Sequence, residues 1–171
     1  DAGRRQILSF IDGRLADIRT RLPRAFATLV PAKLIVKRVP VEIEAGAPGA
    51  YAGAGTIDGS VPGNYYINLR DTAIWPRYAL PTLCYHEGIP GHIWQGEYTY
   101  KLPLIRSLLA FNAYSEGWAL YAEQLADELG MYDGDPAGRL GYLMGLAWRA
   151  VRLIVDTGIH AIGWSRDMAL T

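Results

Sequence analysis

The sequence is poor in cysteine and histidine, with one cysteine, Cys84, and three histidines among 171 residues. A single cysteine excludes an internal disulfide and a metal site built from several thiolates. No apolar run reaches the roughly 18 residues that a transmembrane helix requires, so we expect no membrane span. Basic and acidic residues balance at 17 each. This balance argues against a nucleic-acid partner, which would require a basic face.

The composition that remains is typical of a globular protein with a sizeable core, because half of the residues are apolar and one fifth are charged. The length predicts a single domain over residues 1–171. The 19 glycines and 10 prolines are too dispersed for a linker or a fibrous protein. The first residues are not followed by an apolar stretch of the signal-peptide type. The compartment, whether periplasmic, secreted or cytoplasmic, stays open.

Two regions have helical periodicity. Residues 1–30 are a helical lead-in, because apolar residues recur at three- and four-residue steps over 4–28. Residues 77–171 are a second helical region, in which Gly130 marks a helix end and Asp135 with Pro136 marks a helix start. The candidate helices of this second region are 77–89, 91–100, 103–112, 114–129, 136–162 and a last one that begins at 165.

The region between them, residues 31–76, predicts strands and loops. Its glycine-rich part, 45–63, is typical of a loop. Three runs rich in β-branched or aromatic residues predict extended chain, and Pro40 fits an edge strand better than a central one. These runs are 34–36, 39–43 and 64–69. We therefore predict a mainly α (α+β) fold with a small antiparallel sheet or edge strands at one side.

The most informative segment begins with His86 and Glu87 and ends with a second histidine, His92. In the zinc-peptidase motif H-E-x-x-H the two histidines lie one helical turn apart and the glutamate is the general base. Here the spacing is six residues, which on a straight helix means about 9 Å of rise and about 240° of rotation. Two such rings could not share one zinc ion.

Pro90 and Gly91 suggest how the two rings could still meet. A proline at position 90 clashes with the carbonyl group of His86, four residues earlier, and Gly91 can adopt conformations closed to other residues. We therefore expect a helix break that brings His92 back beside His86. The alternative is that these are two ordinary histidines near a helix end.

A catalytic zinc commonly has three protein ligands, and Glu116 is the candidate for the third. It lies at the start of a well-patterned helix among Trp118, Leu120 and Tyr121, where an unpaired buried charge would be costly. The alternative is a solvent-facing glutamate favoured by the helix dipole. Glu123, seven residues later on the same face, either orients a ligating histidine or pairs with an arginine.

Three blocks of the sequence resemble the bacterial family called domain of unknown function 885. The resemblance covers roughly residues 30–168, and the Pro-Gly insertion in the His-Glu motif makes it specific. The blocks are His86-Glu87-x-x-Pro90-Gly91-His92-x-x-Gln95, Glu116-Gly117-Trp118-Ala119-Leu120-Tyr121-Ala122-Glu123, and Trp148-Arg149-Ala150-x-Arg152-Leu153-x-x-Asp156-Thr157-Gly158-x-His160.

This resemblance implies a mostly helical zinc metallopeptidase, distantly similar to the carboxypeptidase Taq and oligopeptidase types. It implies that His86, His92 and Glu116 bind Zn²⁺ and that Glu87 is the general base. Members of the family are several times longer than this chain. The chain is therefore similar to a catalytic core, and its expected partners are the remainder of the protein or a second chain, together with a peptide substrate.

The expected reaction is peptide-bond hydrolysis by a metal-activated water, with Glu87 moving the proton. His160 is the candidate donor to the oxyanion, oriented by Asp156 one helical turn earlier. Two other classes stay open: a catalytically inactive zinc-binding or scaffold domain, and a metal-dependent hydrolase of a non-peptide amide or ester.

Two features of the sequence concern the substrate. Arg149 and Arg152 lie among apolar residues, where an arginine usually binds a carboxylate. The carboxylate is either that of Glu123 or Asp156, or the C-terminal carboxylate of a peptide, which would make the enzyme a carboxypeptidase. The predicted strand with Tyr66 and Asn68 could pair through its edge with an extended peptide. Cys84 is interpreted as a core residue.

Overall fold

The computed structural model describes residues 2–109 and 111–171. It confirms a mainly helical protein with one small sheet. The helices are α1 (Ala2–Arg21), α2 (Leu80–Leu83), α3 (His92–Thr99), α4 (Ile105–Leu108), α5 (Asn112–Glu128), α6 (Pro136–Thr157) and α7 (Arg166–Leu170), and the strands are β1 (Leu34–Arg38), β2 (Ala50–Gly53) and β3 (Gly63–Ile67). Single turns of 3₁₀-helix cover Leu22–Arg24, Thr72–Ile74 and Arg77–Ala79, and π-helical turns cover Cys84–Gly88 and Gly158–Ile162.

The sheet is mixed, where the sequence predicted an antiparallel one. Its strand order is β1-β3-β2, with β1 parallel and β2 antiparallel to β3. The predicted strand 39–43 is wrong beyond Val39, whose N–H donates to the Ile67 carbonyl. Pro40 has no N–H to continue the ladder, and the chain turns there, with Ile43 donating to the Pro40 carbonyl. β2 lies inside the segment predicted as loop.

The core forms where the apolar face of α1 and the inner face of β3 meet the segment that carries the two histidines. Ile11 and Ile18 of α1 are fully buried, as the periodicity predicted, and Tyr65 of β3 is buried with them. Cys84 is a core residue, as expected, and burial raises the pKa of its thiol well above the ordinary value. The histidine segment is therefore fixed to the interior of the protein.

The two halves of α6 differ in their packing. Gly141 and Tyr142 are buried in the first half. In the second half Trp148, Val151 and Ile154 are more than half exposed. Among the described residues no helix combines the length and the apolar character that crossing a bilayer would require.

Candidate metal centre

The helix break predicted at Pro90 and Gly91 is present. α2 continues into a π-helical turn, Ile89 is extended (φ −127°, ψ 129°), and α3 begins at His92. A Cβ atom on residue 91 would overlap the carbonyl oxygens of Tyr85 and His86, so only glycine fits there. Trp118 of α5 donates its indole N–H to the Pro90 carbonyl at 2.7 Å and so attaches the break to the neighbouring helix.

The break brings the two imidazoles side by side. The ring centroids of His86 and His92 are 4.9 Å apart, and the ring planes are nearly perpendicular at 86°. Both rings are held by local backbone geometry, because His86 lies in the π-helical turn and His92 is the first residue of α3. On a continuous helix the same spacing would have separated them by about 9 Å along the axis.

Glu116 of α5 meets both histidines, but its side chain is 62% exposed, so the burial predicted for it is wrong and it faces solvent as the alternative had it. Its Oε2 atom lies 3.4 Å from His86 Nε2, and its Oε1 atom lies 3.6 Å from His92 Nε2. Each of the three residues offers one ligand atom, and these three atoms all lie within 4.8 Å of one another. Ligands arranged tetrahedrally at about 2.0–2.1 Å from zinc lie about 3.3 Å apart, which is close to the two distances from Glu116 to the histidines.

Glu123 fixes the orientation of the first histidine. Its side chain is fully buried, and its Oε1 atom lies 2.7 Å from His86 Nδ1. Arg149 forms an ion pair with Glu123 at 2.9 Å, and Thr82 donates its hydroxyl to Oε2 at 2.6 Å. Because a carboxylate only accepts, His86 donates its Nδ1–H to Glu123, and Nε2 is the ring nitrogen that faces Glu116. Both roles left open for Glu123, the histidine and the arginine, are therefore present.

The second histidine is kept in its ligand form by its surroundings. Burial, and then the neighbouring His86, lower the pKa of His92 below its ordinary value, although Glu116 acts in the opposite direction. A neutral imidazole is the form that binds a metal. The site thus collects two imidazoles and a carboxylate around one point, which is a donor set found in catalytic zinc sites.

Glu87 follows a candidate ligand and is itself buried. Burial raises the pKa of Glu87 to about 7, with Glu116 acting in the same direction and His86 opposing it. A carboxyl group with this pKa exchanges a proton readily near neutral pH, as a general base and acid must. A divalent cation bound beside it would lower this pKa and favour the form that accepts a proton.

A cavity of about 560 Å³ opens onto these residues, within the range of ligand pockets, about 300–1,000 Å³. Its wall includes His86, Glu87, His92 and Glu116 together with the edge strand β2. Further lining residues come from α3, α4 and the first turns of α5. They are Gln95, Gly96, Thr99, Tyr100, Arg106, Ser107, Tyr114 and Ser115.

Of the candidate site residues in the C-terminal region, one lies at the candidate metal centre and three lie away from the cavity. Arg149 reaches the candidate metal centre, but its partner is Glu123, so it is not free for a substrate carboxylate. Arg152 is exposed and does not line the cavity. Asp156 and His160 contact each other at 3.6 Å, as their spacing predicted, but both are about three-quarters exposed and neither lines the cavity. The structure does not bring His160 to the candidate ligands, and its oxyanion role stays a prediction.

The strand predicted to offer a free edge does not have one. β3 lies between β1 and β2, so its backbone groups are paired on both sides. Asn68 follows it and is buried, with its amide donating to the carbonyls of Glu44 and Ala47, so it supports a turn instead of contacting a substrate. Tyr66 stacks on Tyr51 of β2 with centroids 4.9 Å apart. The edge strands are β1 and β2, and β2 is the one whose residues line the cavity.

Three features of the candidate site were not predicted from the sequence: the contacts of Thr82 and Trp118, and strand β2. Thr82 had no signal, because a single threonine in an apolar helix is unremarkable. Trp118 was interpreted as a core residue, although an indole that is partly buried usually finds an acceptor. β2 is made of alanine, glycine and one tyrosine, which are weak strand formers apart from the tyrosine, so only pairing with β3 identifies it.

Comparisons with known proteins agree with the family resemblance. The family model described as "bacterial protein of unknown function (DUF885)" matches residues 1–171. One solved structure, "the putative lipoprotein from Colwellia psychrerythraea", is 46% identical with a TM-score of 0.91, and the match covers 99% of this chain and 29% of that one. Another, described as "a putative lipoprotein of unknown function from Shewanella oneidensis", is 26% identical with a TM-score of 0.70, and the match covers 96% of this chain and 33% of that one.

No curated protein matches the sequence. The chain spans about a third or less of the length of the two solved relatives. The family model and the 46% identity over nearly the whole chain agree with each other. The chain belongs to the bacterial DUF885 family.

Proposed function

We propose that this chain carries the catalytic centre of a zinc-dependent peptidase. The observation that carries the proposal is the convergence of His86, His92 and Glu116, whose ligand atoms lie within 4.8 Å, at a cavity that Glu87 also lines. A zinc ion, when bound, supplies a Lewis acid that acidifies a water molecule and polarises the substrate carbonyl. Catalytic zinc sites typically have three protein ligands and leave the fourth coordination position for water or substrate, and these three residues would supply that number.

Glu87 moves the proton in this proposal. Its buried carboxylate accepts a proton from the attacking water and then delivers it to the nitrogen of the leaving amine. Glu123 and Arg149 do not take part in the proton transfer. They hold the His86 ring in one orientation, as a carboxylate that binds the far ring nitrogen of a metal-ligating histidine typically does.

The edge strand β2 supplies a place for an extended peptide. The Gly49 carbonyl accepts from the Asn68 N–H, so by the alternation of an antiparallel ladder the backbone groups of Ala50 and Ala52 face away from β3. Both alanines line the cavity that contains the candidate ligands. A peptide pairing with this edge would therefore pass beside the metal centre.

The setting of the activity is proposed from the relatives. Because the two solved relatives are described as lipoproteins, we propose a secreted or envelope-associated location for this protein. Because those relatives are much longer, we propose that the exposed second half of α6 packs in a whole protein against chain outside this segment.

Zinc dependence tests the proposal. We expect the metal-free protein to bind one zinc ion and its melting temperature to rise by about 5–10 °C at a free zinc concentration of a hundred times Kd. Hydrolysis of a quenched-fluorescence peptide library should appear with zinc and disappear with a chelator. Zinc binding without hydrolysis would leave only a zinc-binding domain. No binding would overturn the ligand assignment as well.

A further inference from the structure

The cavity beside the candidate metal centre also contains a cation. Among the described residues that line it, Arg106 of α4 is the one lysine or arginine. Its side chain is exposed, and its guanidinium takes part in no hydrogen bond or ion pair with another residue of the described ranges. The five N–H donors of this group are therefore available to a ligand in the cavity.

Arg106 lacks the carboxylate partner that two arginines with buried partners have. Arg38 binds Glu44 at 2.6 Å, and Arg149 binds Glu123 at 2.9 Å. The two carboxylates that line the cavity, those of Glu87 and Glu116, do not pair with Arg106. Glu116 contacts both histidines and Glu87 is buried beside them. An arginine facing a ligand cavity without a protein carboxylate is suited to a carboxylate brought by the ligand.

We propose that Arg106 binds a carboxylate of the substrate, which makes the preferred substrate a peptide with a negative charge near the cleaved bond. This inference rests on the proposed function. The carboxylate is either the C-terminal one or that of an aspartate or glutamate side chain, since both present the same two oxygens to the guanidinium fork. The role predicted for Arg149 and Arg152 thus passes to a residue of α4.

Measuring peptide affinity tests the role of Arg106 independently of peptide hydrolysis. We would use the zinc-loaded Glu87→Gln protein, in which peptides are cleaved about 10²–10⁴-fold more slowly, and follow fluorescence anisotropy of tetra-alanine labelled at its N-terminus. Three forms are compared: the free acid, the C-terminal amide, and an amide with aspartate at the third position. We expect the acid or the aspartate peptide to bind about tenfold or more tightly than the plain amide.

The discrimination should depend on one side chain. Arg106→Gln is expected to reduce the preference to less than about twofold, and Arg106→Lys to keep part of it, since lysine retains the charge without the fork. Arg70→Gln, an exposed arginine outside the cavity, is the matched control and should keep the full preference. The peptide that binds more tightly than the plain amide identifies whether the carboxylate comes from the C-terminus or from a side chain.

Two results would overturn the inference. One is equal binding of all three peptides, or binding of none of them, by the parent protein. The other is a preference that survives Arg106→Gln. If zinc-dependent hydrolysis of neutral, amidated peptides is observed at the same time, the peptidase proposal stands and only the role of Arg106 is lost.

Discussion

Replacing Glu87 by glutamine is expected to lower the zinc-dependent hydrolysis rate by about 10²–10⁴-fold while leaving zinc binding intact. The reason is that glutamine keeps the size of the side chain but cannot accept and return a proton. The metal ligands are separate side chains, so their geometry does not depend on this carboxylate. The measurement is kcat on a cleaved peptide together with zinc content for the same preparation.

Stability provides the control for this variant. Burial raises the pKa of Glu87 to about 7, so its ionised form costs folding free energy that grows as the pH rises from about 4.5, the ordinary carboxyl pKa, to about 7. In the metal-free protein at pH 8, Glu87→Gln should therefore be no less stable than the parent. Glu42→Gln, at an exposed glutamate outside the cavity, should change neither rate nor stability. Full activity in Glu87→Gln would exclude the role of general base.

Replacing Gly91 by alanine is expected to destabilise the protein by about 3–5 kcal/mol and to weaken zinc binding. The added methyl group would overlap the carbonyl oxygens of Tyr85 and His86, and backbone atoms cannot swing aside as a flexible side chain does. Relief of the overlap must move the π-helical turn that carries His86 relative to the start of α3. We expect the melting temperature to fall by about 10 °C.

Gly13→Ala is the matched control, because Gly13 lies inside α1 and a Cβ atom there meets nothing within 4 Å. It should stabilise the protein slightly, by about 0.5–1 kcal/mol, through the higher helix propensity of alanine. If Gly91→Ala melted within 2 °C of the parent, about the effect of 1 kcal/mol or less, and bound zinc equally well, the tight backbone contact would be contradicted.

Local chemistry made the convergence of the candidate ligands predictable from the sequence. The distortion beside His86 follows from the steric demands of a proline, and the periodicity of α5 places Glu116 and Glu123 on one face. The sequence could not choose the partner of Glu123, since both a histidine and an arginine were available. In the structure it contacts His86 and Arg149 together, because all three lie at one buried point.

The parts that failed depend on contacts distant in sequence. β2 is weakly strand-forming and exists because β3 offers a hydrogen-bonding edge. The separate strand predicted at 39–43 is absent because Pro40 cannot donate to the ladder after Val39. The spacing of Asp156 and His160 predicted their mutual contact but not their distance from the cavity. A helix pattern gives relative faces, and it does not say where along its length a helix leaves the core.

The central claim is that His86, His92 and Glu116 hold one zinc ion, and X-ray absorption spectroscopy of the stoichiometric zinc complex tests it most directly. We predict a first shell of nitrogen and oxygen at about 2.0–2.1 Å with the outer scattering of two imidazoles, and of only one imidazole in His92→Ala. A sulfur ligand at about 2.3 Å, or an imidazole signal unchanged in His92→Ala, would contradict the claim.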